Sequence, residues 1–443
     1  MSIESSLVRL LSLSAALLTT GSGSEKLAVQ ANTDFGLDLY AQLAKGSPGK
    51  NLFFSPYSIS IALAMTAEGA RGKTALEMGS VLRVPKSARL PDDAKRPWNL
   101  APLHAGFASS SKRYNRDKKP FTLKVSNALW GEITYPFNQV YLDTLNAAYD
   151  SKALRLADFK RNYEAERLRI NTWVEGQTEK RIKDLLPDRS LSKITRLVLT
   201  NAIYFKGDWA SQFDKTLTKE GDFALAGGDS VKALLMHKDS MPDASYAAFN
   251  GDGSYFETPV DIGGEKKIAG YPAADGFSMV ALPYKGHSLS MVIIAPNDAG
   301  SLPKIEAMLS RSTLDSWIGR LLLRKVHVTL PKFTSETKYG LNGTLDAMGL
   351  PTAFDAYDAN FNGMKKGESD ARLYISLVIH KAFVEVNEEG TEAAAATGVV
   401  LSTDPFAAVL PFTPHFRADR PFIYLIRDNE SGNVLFLGRM MKP

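Results

Sequence analysis

LVIHKAFVEVNEEG (Leu377–Gly390) runs straight into TEAAAATGVV (Thr391–Val400). The first stretch reads as a strand, rich in β-branched and aromatic residues. The second has almost no bulk. If it is extended, Thr391, Ala393, Ala395, Thr397, Val399 and Leu401 share one face, and Glu392, Ala394, Ala396, Gly398 and Val400 share the other. The tract's one charge then falls on a single face, so the segment could enter a sheet over an apolar layer without burying a charge. Alanine nevertheless favours helix, and small side chains gain little from burial. Gly390 supplies a hinge. The tract is therefore either a surface linker or short helix, or a segment able to leave solvent and become a strand.

The rest of the chain narrows the choice. Its 443 residues are 44% hydrophobic, enough for a large core in one α+β unit or about two or three domains. The net charge of +5 is too weak to argue for nucleic acid. With no cysteine, disulfides, thiol nucleophiles and Cys-based zinc sites are excluded. Arg9 precedes the apolar run LLSLSAALL (Leu10–Leu18) and then TTGSGS, an order that resembles a signal peptide, although Glu4 weakens the leader and no clean small-residue cleavage site follows. Residues 1–25 are therefore read as an N-terminal extension or signal-like leader, and residues 26–443 as one domain. No apolar run reaches the ~20 residues of a membrane span.

Leu27, Phe35, Leu39 and Leu43 recur at helical spacing up to Gly46. Phe53 and Phe54 read as a short strand, Ser55-Pro56 as a helix start, and Ile59–Ala67 as a buried helix ended by Gly69 and Gly72. Phe121–Trp130 alternates like a strand, Asn162–Glu179 is an amphipathic helix, and Leu197–Trp209 is a β-rich run with an unusual Asn201. FSMVALPYKG, LSMVIIAP and VHVTLPKF follow as strands, Tyr339–Gly349 as a helix, and RPFIYLIRDNESGNVLFLGRM as a hairpin. There is neither an internal repeat nor a long linker, which points to one α+β domain with large sheets.

Enzyme signatures are missing. The six histidines form no H-E-x-x-H, and there is no G-x-S-x-G elbow, P-loop or complete G-x-G-x-x-G. His380 reads as a core histidine that needs partners, with Asn201, Ser55 and Ser58 as candidates if the strands bring them together. Lys112, Arg113, Arg116, Lys118 and Lys119 cluster in SKRYNRDKKP, either as a weak polyanion site or as a solvated helix end.

Six blocks in order carry a family resemblance: NLFFSPYSISIALAMTAEGARGKTALEM, LVLTNAIYFKGDWASQF, LPYKGHSLSMVII, VTLPKFTSETKYGLNGTLDAMG, HKAFVEVNEEGTEAAAAT and FRADRPFIYLIRDNESGNVLFLGRMMKP. From about Leu27 to Pro443 the chain resembles the serpins, of the inhibitory type. The resemblance implies an α+β serpin fold with three β-sheets (A, B and C), eight or nine α-helices, and an exposed reactive-centre loop at about residues 388–416. It implies a hinge over Glu388, Gly390, Thr391, Glu392 and Ala393 to Ala396. It also implies a polar shutter of Ser55, Ser58, Asn201 and His380, and a breach at Trp209. Small residues at Ala393 to Ala396 match inhibitory members, whereas non-inhibitory chaperones or binding proteins of the family tend to carry bulk or charge there.

The resemblance implies a monomeric, metastable suicide inhibitor of serine proteases, with cysteine proteases as a lesser alternative and no cofactor, nucleic acid or membrane involved. Counting from Glu388 places the reactive bond near Asp404, but Pro405 follows and resists cleavage before it. Phe406-Ala407 is the expected bond, with Thr403, Asp404 and Val409 as alternatives, and suits a chymotrypsin-like or subtilisin-like pocket. The signal-like leader favours an extracellular or periplasmic setting over the cytoplasm.

Overall fold

A computed structural model describes residues 3–116, 119–149, 153–256, 271–367, 372–391 and 413–443, with side chains from residue 23 onward. Three sheets organise these residues. Sheet A holds β2 (Phe121–Glu132), β3 (Leu154–Ala157), β4 (Leu197–Asp208), β13 (Phe333–Gly340), β14 (Ile375–Val386) and β15 (Gly390–Thr391), in the order β13-β14-β15-β4-β2-β3. Sheet B holds β1 (Leu52–Phe54), β7 (Ser245–Phe249), β8 (Tyr255–Phe256), β9 (Phe277–Pro283), β10 (Leu289–Pro296), β11 (Leu322–Leu323), β17 (Phe422–Asp428) and β18 (Val434–Met440). Sheet C holds β5 (Lys219–Ala224), β6 (Ser230–Met241), β12 (Val326–Pro331) and β16 (His415–Arg417).

Nine α-helices surround the sheets among the described residues: α1 (Ile3–Gly46), α2 (Pro56–Gly69), α3 (Gly72–Val81), α4 (Ala101–Tyr114), α5 (Gln139–Ala148), α6 (Phe159–Gln177), α7 (Leu302–Met308), α8 (Arg311–Ile318) and α9 (Asn342–Ala347).

Alternation along β4 explains the layering. Leu197, Leu199, Ile203 and Phe205 join the main core, where Phe205 meets Phe436 of sheet B at 5.9 Å. Val198 and Ala202 point the other way and pack with Phe159, Ile170 and Val174 of α6. Sheet A is therefore covered on both faces, and β4 reads as an almost continuous buried run. Helix α2 is apolar nearly all round because it lies inside the core. Ser55 caps it, its Oγ accepting from the Ser58 amide at 3.1 Å, and Pro56 occupies the first turn where no amide is needed.

The expected hairpin forms from β17 and β18, its turn held by Asp428 Oδ1 accepting from the Glu430 and Ser431 amides. The helix expected over Tyr339–Gly349 is shorter. Lys338 to Gly340 pair with β14, and only Asn342–Ala347 is helical. Tertiary pairing overrides the local preference there, since Tyr339 sits opposite His380.

Candidate functional site: the central seam of sheet A and its hinge

Strands β4 and β14 are parallel neighbours, paired directly from Ile375↔Leu197 to Phe383↔Tyr204. Parallel pairing is the weaker kind of ladder, and this one runs down the middle of the sheet. Near its centre, Asn127, Asn201 and His380 stand opposite one another on β2, β4 and β14. The first turn of α2 lies against this row. The Ser55 amide donates to His380 Nε2 at 3.1 Å, so the ring proton sits on Nδ1 and is donated to Asn201 Oδ1. Asn201 Nδ2 donates to the Ser58 carbonyl at 2.6 Å and to Asn127 Oδ1 at 2.8 Å. Ser58 Oγ lies 2.7 Å from both Asn127 Oδ1 and Asn201 Oδ1, and Ser55 Oγ donates to the Leu435 carbonyl at 2.6 Å. Burial pushes the His380 imidazole down to about 3, so the ring is neutral.

All four residues expected in the shutter thus lie in one buried network. Asn127, a fifth member, was not expected. Its strand was legible, but its place opposite Asn201 follows only from the β2–β4 register. Replacing Asn127 by alanine removes a partner from Ser58 and Asn201 inside a closed network, so stability should fall by ~1–3 kcal/mol. Urea titration at neutral pH, against a variant of an exposed residue such as Gln177→Ala, checks this.

At the top of the seam the chain doubles back. β15 lies between the two strands, with Thr391 opposite Val386 and Gly207, and Gly390 opposite Asp208. A segment continuing from Thr391 in this direction would run antiparallel to both flanking strands. Thr391 is fully buried, its Oγ1 2.7 Å from the Tyr284 hydroxyl. The Tyr284 ring stacks on Trp209 at 4.7 Å, and Trp209 Nε1 donates to the Asn387 carbonyl at 3.0 Å. The Trp209 and Phe213 amides donate to the Glu389 and Glu388 carbonyls. Glycine at 390 is required by contact: a Cβ there would lie 2.2 Å from the Gly207 carbonyl oxygen.

Glu388 is almost fully buried. Its carboxylate accepts from Lys332 Nζ at 3.1 Å and from Thr218 Oγ1 at 2.9 Å. Burial alone would raise its pKa, but its own backbone amide, Lys332 and Thr218 outweigh burial and hold it below the ordinary value. Neither Lys332 nor Thr218 was expected at the hinge.

Glu392, Ala393, Ala394, Ala395, Ala396, Thr403, Asp404, Phe406, Ala407 and Val409 lie outside the described residues, as does Lys118. Of the basic cluster, Arg113 is committed to Glu25 at 2.7 Å, Asp428 at 3.2 Å and Glu430 at 3.3 Å. Lys119 Nζ donates to the Tyr114 carbonyl and sits over the Phe121 ring. Lys112 and Arg116 are exposed. Among the described residues no cluster of three or more potential metal ligands occurs, and no helix is long and apolar enough to cross a membrane.

The central sheet thus has a parallel seam, a polar cluster across it and a two-residue strand begun at its top. Comparison with known proteins identifies the family. A sequence model of the family described as Serpin (serine protease inhibitor) matches residues 30–443. An uncharacterized serpin-like protein of Thermococcus kodakarensis is 39% identical over 95% of this chain and 87% of its own length. The leukocyte elastase inhibitor of Homo sapiens is 36% identical over 93% of this chain and 98% of its own. Among solved structures, uncleaved ovalbumin superposes with a TM-score of 0.75 at 26% identity, over 94% of this chain and all of that one. The chain belongs to the serpin family, and it has the family's three-sheet α+β fold.

Proposed function

We propose that this chain is a suicide-substrate inhibitor of serine endopeptidases, with Phe406-Ala407 as the reactive bond. The observation that carries the reading is β15, two residues of the loop already paired between β4 and β14. A protease attacks the loop through its own serine and forms an acyl-enzyme. Cutting frees the segment after Thr391 to continue down the seam. Opening the seam gives up one parallel ladder and forms two antiparallel ones, a net gain of one. About ten bonds at ~1 kcal/mol each give on the order of 10 kcal/mol. That matches the whole stability of a typical domain, ~5–15 kcal/mol, so it suffices to deform an attached protease. About 14 residues at ~3.3 Å carry the scissile end on the order of 45 Å. A distorted oxyanion hole no longer supports deacylation, and the covalent complex persists.

An aromatic residue before a small one suits a chymotrypsin-like or subtilisin-like target. The name of the human relative, an elastase inhibitor, supports a serine protease of some kind. Incubation with chymotrypsin and with subtilisin should give an SDS-stable complex and release a fragment whose mass begins at Ala407. Cleavage without a trapped complex across a broad protease panel, with no gain in heat resistance of the cut protein, would overturn the reading in favour of a non-inhibitory serpin.

A further inference from the structure

Where α3 begins, beside the start of α5 and residues 360–363, lies a cavity of about 380 Å³. Every polar side chain that lines it is a cation or an amide: Arg71, Lys95, Asn138, Asn360 and Asn362. No carboxylate lines it among the described residues. Arg71 is fixed in place. Its backbone amide donates to the Asn360 carbonyl at 2.8 Å, and its Nη1 donates to the Glu68 and Ala70 carbonyls at 2.9 and 2.7 Å. A side chain at Gly363 would displace the guanidinium, since a Cβ there would lie 2.3 Å from Arg71 Cζ. Burial and the neighbouring Arg96 pull the Arg71 pKa below its ordinary value, against the opposing pull of Glu68 and Asp93. Those two carboxylates are committed elsewhere. Glu68 pairs with Arg96 at 3.0 Å and with His104 at 3.2 Å, and Asp93 Oδ1 accepts from the Lys95 and Arg96 amides at 3.0 and 2.7 Å.

The amide side chains are oriented by their oxygens. Asn138 Oδ1 accepts from the Val140 amide at 3.0 Å, and Asn360 Oδ1 accepts from the Asn362 amide at 3.2 Å. Each keeps an Nδ2 donor with no acceptor among the described residues. Lys95 is exposed and makes no ion pair among them. Helix α3 starts at the cavity's Gly72 without a side-chain cap, so its dipole adds to the positive potential. The next stretch of chain leads away from the site. The Asn138 amide donates to the Met364 carbonyl and the Lys366 amide to the Pro136 carbonyl, both at 2.7 Å, so residues 364–366 run antiparallel to 136–138 and depart from the Asn138 end. The cavity thus offers donors and positive charge without acceptors. Its volume exceeds that of a bare ion and leaves room for a small organic body.

We propose that this cavity binds a small phosphate or sulfate monoester, whose oxygens accept from Arg71, Lys95 and the Asn138 and Asn360 Nδ2 groups. Charge-assisted hydrogen bonds to such an oxyanion are the strong kind, and a guanidinium suits its geometry. The site lies outside the hinge and the seam, and it does not rest on the insertion reading. A bound ester would tie α3, α5 and residues 360–363 together, so occupancy raises the stability of the fold.

The test melts the full chain in sodium phosphate, sodium sulfate and sodium chloride at equal ionic strength. Inorganic phosphate and sulfate stand in for the two headgroups. Both anions also stabilise proteins by exclusion from the surface, so the comparison is with Asn360→Asp. That variant keeps an oxygen for the Asn362 amide and sets a carboxylate in the cavity. In the parent, melting should rise with anion concentration and saturate. In N360D the half-saturating concentration should rise at least ~tenfold, because like charges then meet. Lys95→Gln, at an exposed position that does not threaten folding, should shift it in the same direction by less. Saturation by either anion, lost in the variants, upholds the site, and the anion with the lower half-saturating concentration names the headgroup. If parent, N360D and K95Q rise in parallel without saturation, the anions act through the solvent and the site falls.

Discussion

Thr391→Arg should convert the protein from inhibitor to substrate. In the intact fold Thr391 is already inside the sheet, fully buried and hydrogen-bonded to Tyr284, which itself stacks on Trp209. A guanidinium there has two choices. It is buried without a carboxylate, at a cost of several kcal/mol, or it drives β15 out of the seam. Either way the first step of the proposed insertion is opposed, while the sequence at the proposed Phe406-Ala407 bond is unchanged. On the proposed mechanism the outcome is decided by a race between insertion and deacylation, and each ~1.4 kcal/mol added to the insertion barrier slows it tenfold. The number of inhibitor molecules consumed per protease trapped should therefore rise by at least about tenfold, with the loop cut at an unchanged rate. Thr391→Ser keeps a hydroxyl near Tyr284 and should remain close to the parent. Titration of chymotrypsin activity, with gel quantification of complex and cut inhibitor, separates the outcomes. Undiminished trapping by T391R would contradict insertion as the trapping step.

Much of this machinery is readable in the chain because local and global signals agree. Ser55-Pro56 announces the start of α2, and the same Ser55 is a member of the polar cluster. Asn201 is conspicuous because a polar amide interrupts a buried β-rich run, and His380 because it sits mid-strand. Asn127 gives no comparable signal. Its strand alternates and has polar neighbours, so only the register with β4 singles it out. Lys332 and Thr218 were invisible for a related reason: they lie 56 and 170 positions from Glu388, and no local pattern joins them. The basic run around Arg113 is a different case. Its charges look free in the sequence, yet Asp428, 315 positions away, helps to neutralise Arg113. Gly390 is a third case. It reads as a flexible hinge, but the Gly207 carbonyl leaves no room for a side chain.

Acid should loosen the seam through His380. Its ring is neutral in the fold, and burial pushes it to about 3, against ~6.5 in an unfolded chain. The unfolded state therefore takes up the proton first as pH falls. Stability from the neutral ring is fully present above pH ~6.5 and erodes below it by up to ~1.4 kcal/mol per pH unit. At pH 5 the loss is about 2 kcal/mol; by pH 3, where the folded ring is itself half-protonated, it reaches about 4 kcal/mol. Glu388, held below its ordinary value, adds a further loss that begins as pH falls into the ordinary glutamate range near ~4.3, where the unfolded chain takes up the proton first. The geometry gives the acid effect a direction. A protonated His380 would turn Nε2–H toward the Ser55 amide, two donors face to face, at the row where β14 pairs with β4. His380→Gln should be less stable than the parent at neutral pH, because it cannot reproduce both ring contacts, but its urea midpoint should fall less than half as far between pH 7.5 and pH 5. Parallel pH profiles for parent and variant would show that some other group carries the acid sensitivity. A parent that is more acid-sensitive intact than after the loop is cut would place that sensitivity at the seam itself, because the proposed insertion would replace the direct β4–β14 contact that His380 bridges to Asn201.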